Sequence, residues 1–356
     1  MEKPQSYKPY SYGPPFLLKH ALFHGLHKPA SGNLWLESTN KKLPDRLPGH
    51  PQTTLDLTSI AKYLKKNITT PKLDKFYHWL WIIATHDSDN INTLSLQVVR
   101  GRDITVTQNP ELHCVWHDKR AFYKPIPPFL LSYDFWETVF TEEFCSDPVG
   151  QLVHRSTLGF MRTYCHMIQH PVDFKIAVDK GLIPEEYTPP DATEAAKITF
   201  EDFVAFIEPF VYSHVQDSTV SLRWHYGDLR LSRLNFWAKF VLTDFTFEKA
   251  YGNYNAYFTR FYGPLLFMFG ICNLIMGGIN LAINTEKGGW KSEDWKAIYS
   301  VGKVFAIIVL IFIAIVIANL LGLFIFMVVR EFSYGAKEHR KKLQRANGVT
   351  DEEKGK

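Results

Sequence analysis

GPLLFMFGICNLIMGGINLAIN, residues 263–284, and VFAIIVLIFIAIVIANLLGLFIFMVV, residues 304–329, decide the reading of this chain. The first is 22 residues without a charge and the second is 26, so as helices they reach about 33 and 39 Å at ~1.5 Å per residue. Either length crosses a bilayer core of ~30 Å. The second stretch is also richer in isoleucine and valine than a soluble helix tolerates. Burying two such helices on all sides would need a large protein around them, so both are read as transmembrane spans.

Aromatic residues mark the interfaces: Tyr257, Phe258, Phe261 and Tyr262 before the first span, Trp290, Trp295 and Tyr299 between the spans, and Phe332 and Tyr334 after the second. The connection Thr285 to Lys303 carries four lysines against three acids, whereas Arg330, Lys337, Arg340, Lys341, Lys342 and Arg345 follow the second span. The basic excess places that tail in the cytosol, and two spans return the N-terminal region to the same side. Met1 to Lys19, broken by Pro4, Pro9, Pro14 and Pro15, lacks the apolar run of a signal peptide, which agrees with a cytosolic start. The sequon Asn67-Ile68-Thr69 is then expected to stay unmodified.

Within the spans the polar residues follow helical spacing. Asn273, Gly277, Asn280 and Asn284 share one face of the first, and Ala314, Ala318 and Gly322, with Asn319 beside them, share one face of the second. Both are read as packing faces, joined by an Asn273 to Asn319 hydrogen bond at matching depth. The rival reading, a polar pore lining, lacks the ionisable group a conduction path usually carries.

A mean hydropathy of -0.14 hides this organisation, because the residues before the spans dilute them. They suffice for one sizeable core or two small ones. The net charge of +4 is scattered and matches no nucleic-acid motif, so nucleic acid is not an expected partner. Cys114, Cys145, Cys165 and Cys272 form no CxxC or paired framework, as befits a reducing compartment.

Residues 1–53 hold eight of the twenty prolines and read as a flexible tail. The fold class expected for residues 54–250 is α+β, a small antiparallel sheet plus several helices. IAKYLKKNI (60–68) and Lys72 to Ile83 read as helices, the second with Phe76, Tyr77, Trp79, Leu80 and Trp81 as core. LSLQVV (94–99) and ITVTQ (104–108) alternate as a hairpin should, and LHCVW (112–116) with AFYKPI (121–126) as another. Helices are expected over 129–140, 152–170, 200–214 and 229–242. The membrane hairpin occupies 251–335 and a basic tail 336–356.

The run GRDITVTQNPELHCVWHDKRAFYKPIPPFLLSYDFWE (101–137), TLGFMRTY (157–164), YGDLRLSRLN (226–235) and two terminal spans, in that order, resemble a family of fungal integral membrane proteins whose domain has no assigned function. The resemblance runs from Ile60 to Arg330. It implies a cytosolic domain followed by a membrane hairpin, and it supplies no catalytic residue.

Metal-ligand spacings are thin. His20, His24 and His27 could share a helix face, though no carboxylate or cysteine joins them. His113 and His117 flank Cys114, with a turn and a half-buried strand position as the plainer reading. His166 and His170 have the i, i+4 spacing of zincin helices, but Met167 stands where the glutamate base would be. No cofactor or metal is implied. The chain has no GxSxG, P-loop, GxGxxG, HRD or DFG element, so catalysis would need a dispersed cluster such as Asp103, Asp118, Arg120 and Asp134.

Arg230 and Arg233 on one face of 226–240, with Leu231, Leu234, Ala238 and Val241 on another, allow a lipid-facing helix or a core helix with solvated arginines. Lys337, Arg340, Lys341, Lys342 and Arg345 are the better candidates for anionic headgroups. The expectation is therefore a multi-pass membrane protein with both termini cytosolic, leaning away from enzyme. Its folded domain recruits protein partners of unknown identity, and the chain can form a homo-oligomer. A membrane-associated enzyme and a small oligomeric channel or transporter subunit are the alternatives. Exposed surface aromatics would favour the recruiting reading.

Overall fold

The computed structural model describes residues 12–24, 26–27, 35–36, 46–187, 196–211, 214–242, 247–248, 254–284, 300–322, 324–325 and 328–329. The chain divides into two compact units, Met1–Ala250 and Tyr251–Lys356. The first is α+β. Its N-terminal ladders are β1 (Leu26–His27) with β2 (Trp35–Leu36), and β3 (Arg46–Leu47) with β4 (His50–Thr54), both antiparallel. There follow α1 (Leu57–Asn67), α2 (Pro71–Ile83), α3 (Leu94–Val99), β5 (Asp103–Val106), β6 (Val115–His117) and β7 (Arg120–Tyr123). A helical stretch comes next: α4 (Tyr133–Val139), α5 (Glu142–Ser146), α6 (Pro148–Met167) and α7 (Pro171–Asp179). The antiparallel pair β8 (Glu186–Tyr187) and β9 (Ala196–Lys197) precedes α8 (Phe200–Ile207), β10 (Leu229–Arg230) and α9 (Leu231–Val241).

Capping and periodicity explain the helices. Asp56 caps α1 by accepting the Ser59 N–H at 2.8 Å, and Ile60 and Leu64 turn inward. In α2, Pro71 occupies the first turn and Leu73, Phe76, Leu80 and Ile83 are buried, a spacing that leaves Trp79 and Trp81 outside. These two tryptophans, expected in the core, are 47% and 66% exposed. The long α6 starts at Asp147, whose carboxylate accepts from the Val149 and Gly150 N–H groups, and it buries Val153, Thr157, Phe160, Met161, Tyr164 and Met167.

The expected hairpin of 94–99 with 104–108 does not form, because LSLQVV is the helix α3. Leu94 and Gln97, three apart, are buried while Val98 and Val99 are exposed, a helical rather than a two-residue period. Thr93 caps its N-terminus, and Asp173 of α7 accepts the Ser95 N–H at 2.8 Å. The second expected hairpin is present as β6–β7, antiparallel, with Val115 opposite Phe122 and His117 opposite Arg120. The four-stranded sheet has order β10-β6-β7-β5, and the outer strands run parallel to their neighbours, so it is mixed around that hairpin.

Phe16, Ala21 and Leu22 are buried in the main core, where the Phe16 ring lies 4.7 Å from that of Phe206, and Leu47 joins them. The described parts of 1–53 thus belong to the folded unit instead of hanging from it as a flexible tail. A second apolar cluster joins α2 and α9 through Leu73, Phe76, Leu80, Leu231, Leu234 and Ala238.

The second unit contains α10 (Tyr254–Asn284) and α11 (Ser300–Gly322). Both are long and apolar enough to cross a membrane: the stretches Tyr262–Leu281 and Ser300–Gly322 have mean hydropathies of 1.7 and 3.2, and neither is buried.

Candidate functional site

The interior of the first unit, where the sheet meets α6, is unusually polar, and its hydrogen bonds assign a role to most of the residues singled out by spacing. His113 is fully buried; its Nδ1 accepts the Lys124 N–H at 3.0 Å, so the ring proton sits on Nε2 and is donated to Thr163 Oγ1 at 2.8 Å. Thr163 passes its own proton to the Phe160 carbonyl. Both ring nitrogens are spent, which removes His113 as a metal ligand, and burial, then the charges of Arg223 and Lys124, holds its pKa well below the ordinary histidine range. His117 is buried at the end of β6, its Nε2 3.4 Å from Asp118 Oδ2.

The His166–His170 pair is undone by the backbone. α6 ends at Met167, and His170 precedes α7, where its N–H and that of Gln169 are donated to Asp173 Oδ2. The two histidines therefore do not share a helix face; His166 Nε2 instead lies 3.4 Å from Asp89 Oδ1. His20 closes a single 3-10 turn, Leu18–His20, and His27 lies in β1, so no helix aligns His20, His24 and His27. Among the described residues no three of His, Cys, Asp and Glu gather to hold a metal.

Two buried arginines organise the same interior. Arg223 donates to the carbonyls of Tyr226, Gly227 and His113 at 2.6, 3.1 and 3.2 Å. Arg162 donates to the Val215 and Trp224 carbonyls and reaches Asp217 Oδ1 at 2.8 Å. Glu111 accepts the Lys72 and Leu73 N–H groups, capping α2 from a distant loop, and burial raises its carboxyl to about 7. Asp74, whose carboxylate accepts the Arg223 N–H, is raised to about 6, again chiefly by burial. Cys114 sits among these groups with φ +55, but burial pushes its thiol far up, so it is no nucleophile.

The dispersed acidic cluster is partly assembled. Asp103 faces Arg120 across the β5–β7 register and Asp118 occupies the adjoining turn, but Asp103 is already paired with Lys180 at 3.0 Å. Asp134 belongs to the first turn of α4. Arg230 lies in β10, ahead of α9, so Arg230 and Arg233 do not form one helical face. Arg233 donates to the Ile83 carbonyl at 2.9 Å, tying α9 to the end of α2.

Sequence comparison adds one finding: a family of unknown function, DUF6601, matches residues 60–313. The chain belongs to DUF6601. No curated protein and no solved structure matches it. The DUF6601 match starts inside α1 and ends inside α11, so it takes in the polar interior, the whole of Tyr262–Leu281 and part of the second apolar helix.

Two surfaces of this DUF6601 chain escaped the sequence reading. On α9, Leu231, Leu234 and Ala238 are buried, while Phe236 and Phe240 are 55% and 67% exposed and meet half-buried Trp237 in edge-on and tilted contacts, the three ring centroids 5.4 to 5.9 Å apart. The signal was present as Phe-Trp-x-x-Phe, out of phase with the buried stripe. The other surface surrounds Trp116, whose cationic neighbours Arg102 and Arg230 come from two other stretches of sequence.

In the second unit, the faces marked by Asn273, Gly277 and Asn280 and by Ala314, Ala318, Asn319 and Gly322 are exposed, and a Cβ on Gly277 or Gly322 would meet nothing within 4 Å. The Asn319 amide donates to Ile315 O of its own helix at 2.8 Å rather than to Asn273. The helices meet elsewhere: a Cβ on Gly302 would lie 2.9 Å from Ile279 Cγ2, and Phe269, Cys272, Phe312 and Val316 line a shared apolar cleft. Lys337, Arg340, Lys341, Lys342 and Arg345 lie outside the described residues.

Proposed function

We propose that this DUF6601 protein is a two-span integral membrane protein whose folded N-terminal unit faces the cytosol and acts by holding partners at the bilayer rather than by turnover. The observation that carries this reading is the exposed aromatic surface: Trp79 and Trp81 on α2, and Phe236 and Phe240 on α9. Large apolar side chains left outside a core that is otherwise filled mark interaction surfaces. The polar interior fits the same reading, since its histidines, arginines and acids are engaged with backbone groups and with each other. The free faces of the spans fit a homo-oligomer in which Asn273, Gly277 and Asn280 of one copy pack on small residues of another.

The test uses the full chain in its native membrane. Trp79→Ser with Trp81→Ser, and Phe236→Ser with Phe240→Ser, are expected to release the chain from its complexes on a native gel, with carbonate-resistant membrane retention and thermal midpoint unchanged. Complexes of unaltered size in both double variants would overturn the reading. A mobility shift removed by endoglycosidase at Asn67 would overturn the cytosolic placement alone.

A further inference from the structure

The surface around Trp116 is built from three sequence-distant pieces. Trp116 lies in β6, half-buried, and Arg230 of β10 is its register partner in the parallel ladder. The Arg230 guanidinium lies 5.0 Å from the indole centroid, and that of Arg102, just before β5, lies 3.8 Å from it. Two cations thus converge on one ring, with Arg100 exposed nearby.

Arg102 is held in place from behind. Its Nη1 donates to Gln97 Oε1 at 2.7 Å. Gln97 is fully buried, and its Nε2 donates to both Tyr123 Oη and Asp228 Oδ2 at 2.9 Å, which fixes which way its amide points. Asp228 Oδ2 also accepts from the Asn92 N–H and Asn92 Nδ2, at 3.2 and 2.6 Å. The relay Asp228–Gln97–Arg102 therefore aims one guanidinium before any ligand arrives. Arg230, by contrast, has no hydrogen-bond acceptor among the described residues. Its fork of N–H donors is open while its backbone is pinned in the sheet.

Two clustered guanidiniums repel each other; Asp228 offsets part of that repulsion from behind Arg102, and an anion in front of the two forks would offset the rest. We propose that Arg102, Trp116 and Arg230 form a recognition site for a phosphate-bearing anion, with the two forks on its oxygens and the indole as floor. Planar forks match tetrahedral oxyanions in a way that lysine ammonium groups do not. The phosphate can belong to a lipid headgroup or to a soluble compound, and the chemistry at the two forks is the same.

The test uses the full chain, purified in detergent for one arm and reconstituted in nanodiscs for the other. In detergent, inorganic phosphate is titrated against sodium chloride at equal ionic strength while the thermal midpoint is followed by tryptophan fluorescence. In nanodiscs, phosphatidylcholine alone is compared with phosphatidylcholine carrying a minor fraction of phosphatidic acid. A soluble source predicts saturable stabilisation in the first arm, and a lipid source predicts it in the second. In either case Arg230→Gln, which breaks no hydrogen bond to a described residue, weakens the effect about 10- to 100-fold, as expected for one charge-assisted contact. Arg230→Lys recovers only part of it, because the charge returns without the fork. The proposal is overturned if phosphate and phosphatidic acid do no more than chloride and phosphatidylcholine, or if Arg230→Gln responds as the unaltered chain does.

Discussion

Replacing Glu111 by glutamine isolates the cost of one buried charge. The carboxylate caps α2 through the Lys72 and Leu73 N–H groups at 2.8 and 3.2 Å, yet burial outweighs those bonds and lifts its pKa from 4.5 to about 7. A shift of that size corresponds to roughly 3 kcal/mol at ~1.4 kcal/mol per unit. The folded chain holds the Glu111 proton more tightly than the unfolded chain, so stability falls as pH rises from about 4.5 to about 7 and the whole cost is present above that. Glutamine carries no charge and keeps one acceptor for Lys72, but it turns an NH2 toward the Leu73 N–H, at a cost of about 1 kcal/mol. Glu111→Gln should therefore be about 2 kcal/mol more stable than the unaltered chain at pH 8, and equal or slightly less stable at pH 5. Urea unfolding of the full chain in detergent, followed by tryptophan fluorescence, measures this. Seven of the nine tryptophans (Trp35, Trp79, Trp81, Trp116, Trp136, Trp224 and Trp237) lie in the first unit and report on it. A stability difference that is the same at pH 5 and pH 8 would refute the reasoning.

Gly227→Ala should cost more than about 3 kcal/mol, since a Cβ there would lie 2.1 Å from the Asn90 carbonyl oxygen, a backbone atom that cannot swing away; the same urea titration reads it. Gly159→Ala should likewise cost about 3 kcal/mol or more, because its Cβ would lie 2.2, 2.3 and 2.7 Å from Cδ1, Cγ and Cβ of the buried Trp224, the part of that side chain fixed next to its backbone. His154, packed beside Phe140 and Trp136, has its pKa lowered to about 4 by burial, so its contribution is complete above pH ~6.5 and is lost as pH falls toward 4. His154→Leu should flatten the acid limb of the stability–pH curve between those values. Asp173→Ala should cost about 3 kcal/mol, because one fully buried carboxylate accepts the N–H groups of Ser95, Gln169 and His170 and so ties α3 to α7.

Local rules carried the elements whose causes are local. The apolar helices followed from length and missing charge, α1 and α2 from their periodicity, and the β6–β7 hairpin from its alternation around a polar turn. LSLQVV failed because six residues fit either period, and what selects the helix is partly Asp173, 78 residues away. The parallel placement of β5 and β10 is equally invisible, since it depends on which strand accepts them and not on their own four and two residues. His113 looked half-exposed because its partners Thr163 and Lys124 come from other elements. Trp79 and Trp81 are different: the stripe of Leu73, Phe76, Leu80 and Ile83 already excludes them by helical phase, whatever their aromatic character.

The perturbed groups of the interior bear on whether this fold catalyses anything. Strong pKa shifts cluster at active sites, but they do so where burial is matched by access to a reacting atom. Here Glu111, Asp74, His113 and Cys114 are shifted first by burial, and the hydrogen bonds of the first three lead to helix N–H groups, to the Arg223 backbone, and to Thr163 and the sheet. Each such bond fixes one element against another: Glu111 the start of α2, His113 the sheet against α6, Arg223 the loop ahead of β10. A group so committed cannot exchange its proton with a substrate without loosening the fold. Facing outward, the described surface of the first unit offers the Arg102–Trp116–Arg230 platform and the aromatic faces of α2 and α9, beside carboxylates such as Asp89, Asp103 and Asp118. The guanidiniums and aromatic rings among them are suited to binding, since neither kind of group is a base or a nucleophile at neutral pH.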